Sequence, residues 1–200
     1  GEPYSVTLYN VRDGTIAQQL AGVGSNSVAF RADGGVLAAG GNDGIVRIWS
    51  MPEGQLIAEL GGHTSYVSSI AFSPDGQMLA SISDNGEVFL WDINTSTLIR
   101  TYNIEIGFDG SVSFNSDGRF LAAKGSHTWI WSVDDGQLLH QIPVRLASFS
   151  PDGQFLITEF QLLRVDDLSV VRDYELDGYN QASSIAVSPN GELFSVVGFP

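Results

Sequence analysis

The sequence predicts an all-β chain, a β-propeller of four-stranded antiparallel blades, and three observations carry that prediction. An apolar triplet with a small middle residue recurs five times: Val28-Ala29-Phe30, Ile70-Ala71-Phe72, Val112-Ser113-Phe114, Ala147-Ser148-Phe149 and Ile185-Ala186-Val187. Three residues after each triplet comes a turn pair: Asp33-Gly34, Asp75-Gly76, Asp117-Gly118, Asp152-Gly153 and Asn190-Gly191, with first residues 42, 42, 35 and 38 apart. A second column then reads as strands ending on Trp: Ile45-Val46-Arg47-Ile48-Trp49, Glu87-Val88-Phe89-Leu90-Trp91 and Thr128-Trp129-Ile130-Trp131. Gln161-Leu162-Leu163-Arg164-Val165 holds the same place with Val. Asp-Gly and Asn-Gly between apolar runs signal hairpins, because Gly takes positive φ freely and Asp and Asn tolerate it.

The elements follow in chain order, with the strands of a unit named a to d. The chain opens on Tyr4 to Tyr9, which matches the c column, and continues with a d strand over Thr15–Leu20. Full a–b–c–d units span about 27–60, 67–102, 111–142 and 145–176, and strands a and b close the chain at 183–198. Each d strand follows a polar turn: Gln55–Leu60, Thr97–Tyr102, Gln137–Ile142 and Ser169–Tyr174. No helical period interrupts them. The small middle residue of strand a suits the innermost strand of a radial array, where backbones crowd toward an axis. One four-stranded sheet cannot bury both its faces, whereas neighbours stacked around an axis can. The strands number 20, five blades' worth, and 1–200 reads as a single propeller domain.

The segments Gly62-His63, Phe72-Ser73-Pro74-Asp75-Gly76, Leu79-Ala80-Ser81 and Leu90-Trp91-Asp92 together resemble one nearly complete WD repeat. The resemblance extends at varying quality over the whole chain. It implies a propeller, usually of seven blades, that serves as a rigid platform for protein partners and seldom carries catalysis. It also implies a structural hydrogen-bonded network of His, Ser or Thr, Asp and Trp within a blade. Here the 62–102 unit supplies His63, Ser81 and Trp91, with Asn85 at the Asp position and Asp84 one place early. The 27–60 unit supplies Asp43 and Trp49, but Ala39 stands at the Ser position and no His precedes it. The next unit keeps only Trp131, and the one after keeps none of the four. Two closures are open: a five-blade ring in which strand b near 193–198 pairs with strand c at 4–9, or an arc of a larger propeller. The absent initiator Met, the Phe199-Pro200 ending and the family's usual size favour the arc.

Composition narrows the function classes. The formal charge is −14, with 23 acidic and 9 basic side chains and Lys124 the single lysine. Such a chain repels nucleic-acid phosphate and anionic membrane surfaces. Zero cysteines exclude disulfides, thiolate metal sites and a cysteine nucleophile. Three histidines are too few for most metal or triad schemes, and Gly-x-Ser-x-Gly is absent. His63 reads as a network member, His127 as a solvated turn residue and His140 as packing or surface. Gly22-Val23-Gly24 leads into a strand rather than a helix, which argues against a phosphate cradle. No Asp-x-Asp-x-Asn-Gly run exists for calcium, and Asp134-Asp135 and Asp166-Asp167 read as solvated turn charge. No catalytic residue, metal ligand or cofactor site is therefore expected. Asn94-Thr95-Ser96 is a lone glycosylation sequon. Trp129, in the column of Arg47 and Phe89, is expected near the outer, partly wet side. No apolar run reaches the roughly 18 residues of a membrane span, and the compartment is unassigned.

Partners are expected on the face where the d–a and b–c loops gather, since a rigid scaffold presents binding residues on loops. The candidates there are Asn42, Asp43, Tyr66, Asp84, Phe108, Asp109, His127, Tyr179 and Asn180. Tyr66, Phe108 and Tyr179 are the candidate aromatic anchors. The acidic balance suggests a protein or peptide partner with a basic patch, and open blade edges suggest self-association. The leading expectation is a non-catalytic protein-interaction scaffold. The alternatives are a lactonase-like propeller hydrolase with a metal held by residues such as Asp43, Asp84, Asp109 and Asn180, or a regulatory or sensory module of a larger multidomain protein. Much of the acid falls where turns ask for Asp, so the charge is weaker evidence for a basic partner than its size suggests.

Overall fold

Each of the five Asp/Asn-Gly pairs closes a tight turn through its own side chain. In the computed structural model, which describes residues 5–22, 24–106, 110–174 and 181–199, the glycine N–H bonds the carbonyl three residues back in all five: Gly34 to Arg31, Gly76 to Ser73, Gly118 to Asn115, Gly153 to Ser150 and Gly191 to Ser188. The Asp or Asn Oδ1 accepts the N–H two residues on, from Gly35, Gln77, Arg119, Gln154 and Glu192. A second side chain completes four of the turns. Ser73, Ser150 and Ser188 accept the N–H five residues on through Oγ, and Asn115 through Oδ1. Four of the five turns thus carry a three-part signature, of which the Asp/Asn-Gly pair is only the most visible portion, and the turn at Arg31 closes without the third part.

The described residues form twenty strands around these turns. The first sheet pairs β1 (Ser5–Tyr9) with β2 (Ile16–Ala21). The second is the meander β3 (Ser25–Phe30), β4 (Val36–Gly41), β5 (Val46–Ser50) and β6 (Gln55–Leu60). The third runs β7 (Val67–Phe72), β8 (Met78–Ser83), β9 (Glu87–Asp92) and β10 (Thr97–Asn103). The fourth is β11 (Ser111–Phe114), β12 (Phe120–Lys124), β13 (Thr128–Ser132) and β14 (Leu138–Ile142). The fifth is β15 (Ala147–Phe149), β16 (Phe155–Thr158), β17 (Gln161–Arg164) and β18 (Val170–Asp173). The last pairs β19 (Gln181–Val187) with β20 (Phe194–Phe199). The ladders among the described residues are antiparallel, and the architecture is that of β-propeller blades. Among the described residues the first and last sheets are separate two-stranded sheets, and no ladder joins 193–198 to 4–9, the closed-ring alternative of the two that the sequence leaves open. No helix among the described residues is long and apolar enough to cross a membrane.

The chain falls into two compact units, 1–113 and 114–200. In the first unit, apolar side chains interlock between successive sheets. Leu20 packs with Leu37, Ala39 and Trp49 between the first and second sheets. Val36, Ala38, Ile48 and Leu60 pack with Val67, Ile70, Leu79 and Trp91 between the second and third. In the second unit, Phe120, Ala122, Ile130 and Ile142 meet Ala147, Leu156, Leu163 and Val165. In the second, third and fourth sheets strands b and c are covered on both faces: all six residues of β4 are buried, and β8 is buried but for Met78. Continuous apolar runs, rather than alternation, are what such doubly covered strands require. Trp129 illustrates the point against expectation. It lies in the central strand β13 and is 6 % exposed, because both faces of that strand are covered.

Polar bonds complete the inter-sheet contact in the first unit. The Ser27 hydroxyl accepts the Ile70 N–H at 3.1 Å, and Ser69 accepts the Val112 N–H at 3.3 Å, one blade further on. Both satisfy amides on the inner edge of the next a strand. The b–c turns are equally close to their neighbours. A Cβ on Gly44 (φ +77°) would lie 2.5 Å from the His63 carbonyl oxygen, and one on Gly86 (φ +88°) 2.1 Å from the Ile104 carbonyl oxygen. Each b–c turn is thus held against the d–a segment that follows it.

Gly34 provides a control, since its φ is +72° yet nothing lies within 4 Å of its Cβ position. Gly34→Ala should cost only the left-handed backbone penalty, about 1–2 kcal/mol. Gly86→Ala adds a backbone collision and should cost about 1–3 kcal/mol more. Urea unfolding of the two variants measures the difference, and equal losses would contradict the close approach.

Candidate functional site

A cleft of about 640 Å³ opens in the first unit, lined by Asn26, Asn42, Tyr66, Ser68 and Gly110. Three connections and two strand ends build it. Asn42 sits in the turn between β4 and β5, where its N–H bonds the Gly24 carbonyl at 2.7 Å. Tyr66 precedes β7, and its carbonyl accepts the Asp84 N–H at 3.0 Å, which ties this segment to the turn between β8 and β9. Asn26 on β3 donates through Nδ2 to Asn42 Oδ1 at 2.6 Å. Ser68 on β7 shares its hydroxyl between the carbonyls of Gly110, at 3.0 Å, and Ile82, at 3.2 Å. Tyr66 is 39 % exposed. The cleft brings together two of the nine expected partner residues, Asn42 and Tyr66, and adds Asn26 and Ser68, which sequence reasoning missed. Nothing in the polar stretch Ser25-Asn26-Ser27 singled Asn26 out, because its role depends on a turn sixteen residues away.

Asp43 neighbours the cleft but is already committed. Arg47 donates to both its carboxylate oxygens, at 3.2 and 2.8 Å, and also reaches Glu59 at 2.9 Å. The Arg47 hydrogen bonds hold the Asp43 carboxyl below the usual carboxylate range. Its carboxylate thus serves its own hairpin. The Asp84 side chain is exposed, at the turn bonded to Tyr66. His127 lies in the second unit, 3.1 Å from Ser126 Oγ and edge-on to Trp129. Phe108, Asp109, Tyr179 and Asn180 fall outside the described residues.

The third sheet holds the buried network. His63 Nε2 lies 2.7 Å from Ser81 Oγ, and the Trp91 indole N–H donates to the same oxygen at 2.9 Å. The indole N–H occupies one lone pair of Ser81 Oγ, and the His63 tautomer sets the direction of the second bond: from the Ser81 hydroxyl to Nε2, or from Nε2–H to the remaining lone pair. Nδ1 faces Glu87 Oε2 at 3.5 Å, too long and ill-aligned for a hydrogen bond. Asn85, expected in the acid's place, instead donates to Thr64 Oγ1 at 2.8 Å and accepts from Ser83 at 2.6 Å. Glu87 is the carboxylate beside the imidazole, and it accepts the Thr64 N–H and hydroxyl, each at 2.8 Å. Its one sequence signal is a charge in the column occupied by Ile45.

Serine, histidine and glutamate stand here in the order of a hydrolytic triad. Ser81 is fully buried, however, and its oxygen already accepts from Trp91. Phe89 stacks on the imidazole with ring centroids 4.0 Å apart and meets Trp91 edge-on at 5.5 Å. No substrate carbonyl can reach that oxygen while the sheets stay packed, so the group acts as a polar rivet through the blade. The other units keep fragments of it. Trp49 and Trp131 are buried beside Ala39 and Ala123, which offer no hydroxyl. Thr158 occupies the Ser81 register in the fifth sheet and bonds its own turn, accepting from Gln161 N at 2.9 Å.

Burial pushes the His63 imidazole down to about 4, against the opposing pull of Glu87. For Glu87, burial pushes the carboxyl up, but hydrogen bonds from Thr64, Ser83 and Asn85 outweigh it and leave it lowered. Between about pH 6.5 and 4 the unfolded chain therefore binds the His63 proton that the folded chain refuses. Stability should fall as pH drops through that window, by up to about 3 kcal/mol. The lowered carboxylates, such as Asp43 and Asp75, lose their contribution only below their unfolded values near pH 4. Urea unfolding across pH 7 to 4.5 should show the slope in the native chain and its loss in His63→Gln. An unchanged slope in the variant would assign it to other groups.

The register of Trp-ended strands, Asp-Gly turns and a His–Ser–Trp rivet has a counterpart among known proteins. Residues 13–50 and 54–92 each match the family described as WD domain, G-beta repeat, and residues 93–200 lie outside the match. Over those two segments the chain is similar to the WD-repeat family.

Proposed function

We propose that this chain is a non-catalytic protein-interaction scaffold whose partner seats in the cleft of Asn26, Asn42, Tyr66, Ser68 and Gly110. WD repeats in general form propeller platforms for protein partners. One observation carries the finer reading: two turns held rigidly by backbone bonds present a half-exposed tyrosine and two side-chain amides around one concavity. Such a rigid aromatic edge with adaptable amide contacts is the composition of binding hot spots and paratopes. The chemistry of an enzyme finds less support. Asp43, which a metal-dependent hydrolase would need, is consumed by Arg47, and the Ser81–His63 pair is sealed. The excess of acid steers partners of net positive charge toward the chain, an effect on association rate that salt removes.

The test is an affinity comparison on a partner crosslinked to the native chain and then identified. Tyr66→Ala and Asn42→Ala should each weaken its binding by about tenfold or more, on the scale of hot-spot losses. Thermal unfolding should stay near native, since both side chains are exposed. Full affinity in both variants would remove the cleft from the binding site.

A further inference from the structure

The cleft has a chemistry that differs from that of the chain carrying it. The protein is strongly acidic, yet the five described lining residues are all uncharged. Of the carboxylates adjacent in sequence to a lining residue, Asp43 faces its own guanidinium and Asp109 falls outside the described residues, while the Ser68 proton is spent on two carbonyls. What remains are the two amides. Asn26 and Asn42 share one hydrogen bond, Nδ2 to Oδ1 at 2.6 Å. That bond leaves the Asn26 Oδ1 acceptor and the Asn42 Nδ2 donor without protein partners among the described residues. Reversing both amides exchanges which residue supplies which, but still leaves one donor and one acceptor.

We infer that the cleft recognises an uncharged amide of a protein partner: an Asn or Gln side chain, or an exposed main-chain peptide group, docked donor-to-acceptor on the Asn26–Asn42 pair beside Tyr66. This rests on the cleft being the partner site. An amide offers one N–H and one C=O in a plane, which complements the free pair with two hydrogen bonds. A lysine or arginine head buried there would meet no anion among the described lining residues and would leave the acceptor half of the pair to do all the work, so a cation is disfavoured at contact. The acidity of the chain then acts at long range, on encounter, while the seated contact is neutral.

A displayed random-peptide library, selected on the full chain at ~1 M salt, where charge is screened beyond about 3 Å, isolates the contact from the steering. Parallel selections and affinity measurements use Tyr66→Ala and Asn42→Asp. The aspartate keeps an acceptor for Asn26 Nδ2 but removes the free donor. Expected are peptides that share Asn, Gln or an uncharged extended segment, and that lose about tenfold or more in affinity on both variants. Peptides that lose affinity on Tyr66→Ala but share Lys or Arg, and hold or gain affinity on Asn42→Asp, would overturn the amide inference and leave the cleft standing. Peptides bound equally by all three chains, or no enrichment on the native chain, would overturn the cleft reading itself.

Discussion

Backbone of one sheet lies in direct contact with backbone of the next, and the other features of the first unit depend on that closeness. At Gly44 and Gly86 no side chain fits between a b–c turn and the carbonyl of the following segment. Side-chain packing alone cannot fix loops so exactly in register, because apolar contacts are non-directional. A carbonyl oxygen at van der Waals range can. The same closeness lets a side chain as short as serine span adjacent a strands, from Ser27 to Ile70 and from Ser69 to Val112. Tyr66 and Asn42 inherit their positions from these contacts. The cleft is therefore a by-product of how tightly the sheets approach, and its walls are as stiff as the sheets.

The rivet of the third sheet shows how burial decides what a set of residues can do. Ser81, His63 and Glu87 would invite a catalytic reading if only their order were known. Their burial and the indole bond to Ser81 turn the same atoms to stability. The arrangement has a cost: an imidazole held at a pKa of about 4 makes the sheet sensitive to acid. The second and fourth sheets put Ala39 and Ala123 in place of Ser81 and escape that cost, at the loss of a directional link between strands b and c.

What could be read in the sequence was what local chemistry determines. The Asp-Gly turns, the small middle residue of strand a and the Trp-ended strands each depend on neighbours within a few positions, so the strand order and the blade repeat were legible. Asn26 and Glu87 were not, because each acquires its role from a segment folded against it from elsewhere, Asn42 in one case and His63 in the other. Asn85 misled for the same reason: position in a motif does not say which way an amide turns when Thr64 offers a nearer partner. Trp129 misled differently. Alternation along a strand predicts exposure only where one face meets water, and β13 is covered on both. The ring-closing ladder was a question of long-range pairing on which local pattern is silent.

The matched repeats begin before β2 and end with β5, then begin before β6 and end with β9. Each spans the last strand of one sheet and the first three of the next. The segment that a duplication would copy is thus offset by one strand from the sheet that folds. A newly copied repeat cannot form a sheet from its own residues; it must lend its first strand backward and borrow its last from whatever follows. Growth of such a chain by whole repeats stitches every addition to its predecessor from the outset. The boundaries of the matched repeats fall inside its sheets, between strands c and d, rather than between sheets.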